Sequence, residues 1–337
     1  MKINLKYMGI ALIIILVMVG FYYLKFAKHY PREINLEQAK DNYWGITFSR
    51  KFCDEIGIDW KKAYLEILDD LKVKNIRIPI YWDEVEIKDD EFDYRDYDFM
   101  FDEGAKRGVK FTANIGWRLP RWPECHSPKW VASLEVSEIK EKTIEMLKPE
   151  VNHFKRRPEI VYWQVENEPL LNSFGICPDG DEEFLKKEVA VVKDLDLRPV
   201  LITASGELSS WRKEWDIGDK FGTTMYRVVW NPLTGYFRYP LPASFYKFKA
   251  AFLKLKPENM VISELQAEPW VPRGTLANLP PSESNKSFDM EQFKANLQYA
   301  INADLNQAYL WGVEWWYLRK MNGNSEYWDL AKSLFNK

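Results

Sequence analysis

Short apolar runs alternate with helix-like stretches along most of this chain, and this alternation constrains its fold more than any other feature. Amphipathic segments with apolar residues at helical spacing are Asp59–Lys74, Asp96–Arg107, Glu138–Phe154, Asp181–Leu195, Ser244–Lys256 and Asp289–Ala303. The eight candidate strands are Tyr43–Phe48, Ile76–Ile80, Lys110–Ile115, Ile160–Val165, Pro199–Thr203, Lys220–Thr224, Met260–Ser263 and Ala308–Trp311. Eight such repeats in 337 residues predict an α/β fold, a single-domain (β/α)8 TIM barrel. A doubly wound sheet is disfavoured because no G-x-G-x-x-G follows any of these strands.

The N-terminal segment is a candidate membrane anchor. Residues 7–24 form an uncharged run of 18 between Lys6 and Lys25, which is the lower limit for a transmembrane helix. No small-residue cleavage site follows the run, so we expect an uncleaved signal anchor at 1–30, a linker at 31–42 and the barrel at 43–337. A cleaved signal peptide and a buried core helix are the alternatives. Basic residues lie on both sides of the run, so charge leaves its orientation open.

Composition excludes several function classes. With 47 Lys and Arg against 50 Asp and Glu, the net charge is −3, and no bulk positive field would attract nucleic acid. The three His and three Cys show neither metal-ligand spacing nor a C-x-x-C pair, so we expect no metal and no cofactor. The 15 Trp, 18 Tyr and 19 Phe are more than a core needs, and flat aromatic rings suit sugars. A carbohydrate is therefore the expected partner of a monomeric protein.

Two glutamates lie at the carboxyl ends of predicted strands, where barrel enzymes carry their chemistry. The fourth strand runs into Glu168 within the sequence QVENEP, and the seventh ends at Glu264 within ISELQ. These strands lie across the barrel from each other, so the two carboxyls can flank one scissile bond. Hydrolysis of a glycoside needs such a pair, one protonated and one ionised. A shift of two residues in either strand would instead assign Glu166 or Glu268.

The order of these motifs resembles the retaining glycoside hydrolases of clan A, especially the cellulase family, glycoside hydrolase family 5. The motifs are Asn75–Ile80 at the second strand, Asn167-Glu168-Pro169, Met225-Tyr226, Ser263-Glu264 and the Trp-rich eighth strand. The resemblance covers most of residues 43–337. It implies that Glu168 is the general acid/base, that Glu264 is the nucleophile and that Asn167 binds the substrate 2-hydroxyl.

The same resemblance suggests further substrate-binding residues. Arg77 interrupts an apolar strand and would contact the nucleophile, because a buried guanidinium needs a carboxylate partner. Tyr226 would donate its hydroxyl to the nucleophile. Trp311 would stack under the sugar, with Trp315 as the alternative. Candidates in the loop after the third strand are Trp117, Trp122 and His126.

The sequence also departs from the family pattern. Gly116-Trp117 and Thr224-Met225-Tyr226 stand where many members have a His and a His-x-Tyr, so the sequence matches the pattern of the clan better than that of a particular family. The expected function is a membrane-anchored, extracytoplasmic, retaining β-glycosidase, or a secreted one if the N-terminal segment is cleaved. The alternatives are a non-catalytic carbohydrate-binding barrel on the cell surface and a barrel enzyme such as an aldolase, which would need a strand-end lysine.

The three cysteines follow the first, third and fourth strands. Because the loops after the third and fourth strands are neighbours, we predict a Cys125–Cys177 disulfide in an extracytoplasmic protein, with Cys53 left free.

Overall fold

Eight parallel strands close into one barrel in the computed structural model, which describes residues 13, 14, 17, 20, 21 and 34–336. The strands are β1 (Trp44–Thr47), β2 (Asn75–Pro79), β3 (Lys110–Ile115), β4 (Ile160–Val165), β5 (Val200–Ala204), β6 (Lys220–Met225), β7 (Met260–Gln266) and β8 (Gln307–Trp311). Each strand pairs with its neighbours in chain order, and β8 pairs with β1. The predicted single-domain (β/α)8 barrel is confirmed. The main difference is β7, which continues to Gln266 and so includes Glu264.

Helices follow most of the strands and match the predicted amphipathic segments. The α-helices are Arg50–Glu55, Trp60–Glu66, Trp82–Val85, Arg95–Ala105, Val136–Phe154, Glu182–Leu195, Ser244–Phe252, Pro281–Ser284, Met290–Ala303, Val313–Met321 and Glu326–Phe335. Trp60–Glu66 continues into a π-helical segment, Ile67–Leu71, and short 3₁₀ turns lie at Leu36–Gln38, Lys129–Val131, Pro257–Asn259 and Leu276–Asn278. Residues 205–219, between β5 and β6, form turns and bends.

Aspartates start three of the helices. The side chains of Asp59, Asp181 and Asp289 accept hydrogen bonds from backbone N–H groups in the first turn. These N–H groups have no partner within the helix, so a side-chain oxygen at this position stabilises the helix start. The sequence therefore sets these helix boundaries locally.

The barrel interior is polar towards the carboxyl ends of its strands. Arg77, Asn114 and Gln164 come from β2, β3 and β4, and all three side chains are fully buried. The Arg77 Nε donates to Gln164 Oε1 at 2.6 Å. Because each polar atom buried here needs a partner, these bonds fix the orientation of the side chains.

Two loops at the carboxyl ends of the strands are joined covalently. Cys125, after β3, forms a disulfide with Cys177, after β4, with their Cα atoms 5.4 Å apart. Cys53 is free and buried in the helix Arg50–Glu55. Both parts of the cysteine prediction are confirmed.

The anchor predicted at 1–30 lies almost entirely outside the described residues. Within the part of the chain that the structure describes, no helix is long and apolar enough to cross a membrane. Membrane attachment therefore stays a prediction without structural support.

Candidate active site

Glu264 is held in place by two hydrogen bonds at the barrel mouth. Its Oε1 accepts from Arg77 Nη1 at 3.0 Å, and its Oε2 accepts from the Tyr226 hydroxyl at 2.8 Å. The pairing of β7 with β6 shifts register between Ile262 and Glu264, an irregularity of the kind that re-aims side chains next to active sites. The predicted contacts of Arg77 and Tyr226 with Glu264 are therefore present.

Arg77 connects Glu264 to the end of β4. Its Nη2 donates to Asn167 Oδ1 at 2.7 Å, while Nη1 donates to Glu264. Because Arg77 binds the Oδ1 atom of Asn167, the Nδ2 amide of Asn167 remains as a hydrogen-bond donor on the opposite side of its carboxamide group. The Arg77 guanidinium is buried and has both carboxylate and amide partners. Removing one of these partners would leave its charge buried without compensation, so this arrangement holds the side chains firmly in place.

Glu168 lies in a position where it can hold a proton. The residue is buried, and its Oε1 accepts from Thr224 Oγ1 at 3.0 Å. Its backbone N–H donates to Thr203 Oγ1 at 3.0 Å. Burial first, and then the negative charge of Glu264, raise the pKa of Glu168 to about 8. At neutral pH Glu168 is therefore mostly protonated, as a general acid must be.

This environment predicts how stability depends on pH. Native Glu168 holds its proton up to about pH 8, whereas the unfolded chain releases it near the ordinary value of 4.5. Between these values the native state binds more protons, so Glu168 lowers the free energy of unfolding as pH rises. We expect Glu168→Gln to raise the melting temperature by about 2 °C or more at pH 8, with the gain disappearing near pH 4.

Thermal denaturation of the wild type and the variant at several pH values would measure this. Glu141→Gln is the control, because Glu141 is exposed on the helix Val136–Phe154. If the gain in melting temperature were the same at pH 4 and pH 8, the surroundings of Glu168 would not raise its pKa.

A second pH effect concerns activity. If Glu168 donates the proton in the first step, kcat/KM should decline as pH rises through about 8, where that proton is lost. A pH profile with a chromogenic substrate would show the decline. In Glu168→Ala, assayed on a substrate with a good leaving group, this limb should be absent. Persistence of the same limb in the variant would assign it to another group.

Trp311, at the end of β8, lies against the catalytic end of the barrel. It is 8% exposed, and the Arg121 guanidinium lies 4.1 Å from its ring centroid. Arg121 thus covers one ring face, and only a small part of the ring remains exposed. Trp315 packs instead against Tyr327, with ring centroids 4.6 Å apart, in the helical layer. Of the two tryptophans, Trp311 is the one at the strand end.

The two loop tryptophans have different surroundings. Trp117 is buried, donates through Nε1 to Ser127 Oγ at 2.6 Å, and lines a small cavity beside the disulfide. Trp122 is 58% exposed and contacts Phe174, with ring centroids 5.9 Å apart. Phe174 contacts Trp270 at 5.9 Å, and Trp270 contacts Tyr226 at 5.7 Å.

These contacts form an aromatic row, Trp122, Phe174 and Trp270, that leads from the surface to Tyr226. Sequence reasoning missed Phe174 and Trp270, which lie in loops after different strands. Their only sequence signal is the general excess of aromatic residues in these loops.

His126 does not present a free ring nitrogen. Its Nδ1 lies 3.0 Å from Lys51 Nζ, and its Nε2 lies 3.1 Å from the Arg121 carbonyl oxygen. Burial and Lys51 lower the pKa of His126 to about 4, so the ring is neutral and Nε2 carries the proton. We infer that His126 supports the loop after β3 and has no free nitrogen for a sugar.

The alternative carboxyls, Glu166 and Glu268, have other partners. Glu166 accepts backbone N–H groups of Trp117 and Arg118, each at 2.6 Å. A Cβ on Gly116 would lie 2.4 Å from Glu166 Oε1, so the glycine allows this approach. Glu268 is paired with Arg121. Of the four strand-end glutamates that the sequence offers, Glu168 and Glu264 therefore stay the candidates for the catalytic pair.

Sequence reasoning also missed Glu124. This residue lies in the loop after β3, is 5% exposed, and places Oε2 3.5 Å from Asn167 Nδ2. Arg121, Glu124, Glu166 and Glu168 all have positive φ, at 82°, 76°, 58° and 45°. Such backbone conformations are costly for residues other than glycine, and they concentrate at functional sites.

The structure gives one geometric candidate for a metal among the described residues. Glu86, Asp89 and Asp90 have oxygens within 4.8 Å of one another in a hairpin after β2, whose two short antiparallel strands are Glu86–Lys88 and Glu91–Phe92. Asp89 already pairs with Lys142, and Glu86 accepts from Trp82 Nε1 and the Asp90 N–H. Two of the three carboxylates, those of Glu86 and Asp89, thus already have protein partners.

Comparisons with known proteins give the fold but no close relative. No protein-family model matches the sequence, and no curated protein matches it. Xylanase 10B from Thermotoga maritima is a structural neighbour with a TM-score of 0.55 and 16% identity, covering 82% of this chain and 85% of its own. GH5_18 from Streptomyces cattleya, solved with GlcNAc, has a TM-score of 0.54 at 14% identity, covering 80% and 70%.

A glycosylated endo-β-1,4-xylanase of glycoside hydrolase family 10 from Gloeophyllum trabeum has a TM-score of 0.53 at 12% identity, covering 83% and 87%. At these identities the similarity establishes architecture alone. The neighbours belong to more than one glycoside hydrolase family, so they do not single out family 5. The chain has the (β/α)8 barrel fold that these glycoside hydrolases share.

Proposed function

We propose that this protein is a retaining β-glycoside hydrolase of clan A, similar to family 5, that acts on an oligo- or polysaccharide. The observation that carries the proposal is the contrast between two carboxyls at strand ends. Glu168 is buried in surroundings that hold its proton, whereas Glu264 accepts hydrogen bonds from a guanidinium and a phenol. An acid and a carboxylate at one barrel mouth are what glycoside hydrolysis needs.

In this proposal each group has a role. Glu168 donates its proton to the leaving glycosidic oxygen while Glu264 attacks the anomeric carbon, forming a glycosyl ester. The Glu168 carboxylate then takes a proton from water, which attacks the same carbon and releases Glu264. Arg77 and Tyr226 hold the nucleophile, and Asn167 binds the 2-hydroxyl, where a hydrogen bond strengthens in the transition state.

The test is the configuration of the first product. Two successive inversions give net retention, so the first-formed sugar should be the β anomer. Proton NMR during early hydrolysis of an aryl β-glycoside reads this directly. A first-formed α anomer would rule out the nucleophile role of Glu264. Absence of hydrolysis across a broad panel of β-glycosides would contradict the proposal as a whole.

A non-catalytic carbohydrate-binding barrel is the second candidate, and the exposed aromatic row favours it. Rings such as Trp122 can bind sugar without chemistry. However, a binding module has no use for a protonated carboxyl buried beside another, because this burial costs free energy. Sugar binding without hydrolysis by the wild type would favour this candidate.

We also propose that the barrel lies outside the cytoplasm and is attached to the membrane through residues 1–30. The Cys125–Cys177 disulfide supports an oxidising compartment. Ile13, Ile14 and Val17 are 61%, 51% and 64% exposed, so they do not pack into the barrel core. Asn35 contacts the barrel, since its N–H donates to Gln298 Oε1 at 2.7 Å.

Deletion of residues 1–30 is therefore expected to leave a folded, active barrel that is soluble without detergent. The physical reason is that the barrel elements start after this segment. Fractionation of cells expressing the full chain and the truncated chain would measure it, with activity in each fraction. Loss of folding in the truncated chain would mean that the segment packs on the barrel and is no anchor.

A further inference from the structure

Glu124 is a third carboxyl at the catalytic centre, and neither chemical step above uses it. Its Oε2 lies 3.5 Å from the Asn167 Nδ2, the amide whose other end is fixed by Arg77. Asn167 is the residue directly before Glu168 in the chain, so this contact joins the loop after β3 to the segment that carries Glu168. Glu124 is almost fully buried.

Two loops hold Glu124 in this position. The next residue, Cys125, is bonded to Cys177, which ties the loop after β3 to the loop after β4. Gly175 lies against the Glu124 side chain, where a Cβ would be 2.8 Å from the Glu124 Cγ. The Glu124 backbone is itself in the left-handed region, with φ of 76°. A strained residue that is supported from two loops is typical of a functional group.

The state of this carboxyl follows from its surroundings. Burial, and then the charges of Glu264 and Glu168, raise the pKa of Glu124 well above its ordinary value, while Arg118 acts in the opposite direction. A neutral carboxylic acid has both a donor and an acceptor. The raised pKa therefore favours the form of Glu124 that has both a donor and an acceptor and adds no negative charge beside Glu264.

We propose that Glu124 and Asn167 together bind the 2-hydroxyl of the sugar whose glycosidic bond is cleaved, so that the enzyme requires a free hydroxyl at that carbon. This rests on the proposed function, which gives Asn167 its place at the 2-hydroxyl. The 3.5 Å separation is longer than a normal N–H···O hydrogen bond, so the two groups bind each other only weakly. A hydroxyl can satisfy both, because it accepts from the Asn167 amide and donates to the Glu124 carbonyl oxygen.

The proposal names a substrate class. Sugars with an unsubstituted 2-hydroxyl fit, whereas 2-deoxy sugars leave Glu124 and the Asn167 amide without a partner. A 2-acetamido group has an N–H donor but adds bulk between two buried side chains. Sites that hydrogen-bond a substrate hydroxyl reject analogues without it, since the buried polar groups are then left unpaired.

The experiment compares two aryl β-glycosides that differ only at C2, the parent sugar and its 2-deoxy analogue. For the parent, Glu124→Ala should lower kcat/KM by about 10- to 100-fold, the value of one hydrogen bond in a buried site. For the 2-deoxy substrate, the same variant should stay within about 3-fold of the wild type, because no hydroxyl is there to lose. Glu124→Gln, which keeps a donor and an acceptor, should restore most of the activity on the parent.

Other outcomes would overturn the proposal. An equal loss on both substrates would show that Glu124 only supports the loops. Glu124→Met is the second variant, because its unbranched side chain preserves the packing against Gly175 if the alanine variant fails to fold. If the wild type hydrolysed the 2-acetamido analogue faster than the parent glycoside, this would also contradict the proposal. If the wild type hydrolyses none of these substrates, the proposed function fails, which is a different result from an active enzyme with equal losses.

Discussion

Glu264→Ala is expected to lower kcat on natural substrates by on the order of 10³-fold or more, because no group remains to form the covalent intermediate. Azide should restore activity, since the small anion can enter the space that the carboxylate leaves. The product should then be an α-glycosyl azide, because azide attacks from the face of the missing nucleophile. Steady-state kinetics with and without azide, and NMR of the azide product, measure both effects.

The control for this substitution is Glu258→Ala. Glu258 is exposed in the turn Pro257–Asn259 just before β7, so its loss should leave kcat unchanged. Circular dichroism should show that Glu264→Ala remains folded. A folded Glu264→Ala enzyme with normal turnover would remove Glu264 from the mechanism even though the barrel is correct.

Glu168→Ala should show a loss that depends on the leaving group. On natural substrates we expect a decrease on the order of 10³-fold, because the departing oxygen receives no proton. On aryl glycosides with acidic phenols the loss should be far smaller in the first step, since these leaving groups need little acid help. Azide should yield a β-glycosyl azide, because it replaces water in the second step and attacks the glycosyl ester.

A series of aryl β-glycosides with different phenol pKa values measures this dependence. The slope of log kcat/KM against phenol pKa should be steeper for Glu168→Ala than for the wild type. Parallel slopes would mean that Glu168 does not protonate the leaving group. Glu141→Ala, at an exposed position on the helix Val136–Phe154, serves as the matched control.

Local sequence information accounts for most of the barrel. The strands are short apolar runs because parallel strands are covered on both faces, and the helices show apolar residues at helical spacing. Aspartates at helix starts, such as Asp181, fix boundaries through bonds to the nearest N–H groups. Each of these signals lies within a few residues, so it can be read without knowing the fold.

The positions of Glu168, Glu264 and Arg77 could also be predicted. Each lies on or directly after a barrel strand, and the topology of a closed barrel brings all strand ends to one rim. Once the eight strands are assigned, the residues at their carboxyl ends are expected around the same rim. The contact between Arg77 and Glu264, across 187 positions of the chain, follows from this closure.

Loop conformation is what only the tertiary structure decided. The sequence RWPEC does not show that Glu124 turns towards Asn167, that Arg121 covers one face of Trp311, or that both nitrogens of His126 are occupied. These contacts depend on left-handed backbone at Arg121 and Glu124 and on the disulfide to a second loop. The sequence by itself determined the barrel and its pair of carboxyls, because strand ends converge in any such fold. The structure decided which loop side chains join them, because a loop has no periodicity and its path is set by distant contacts.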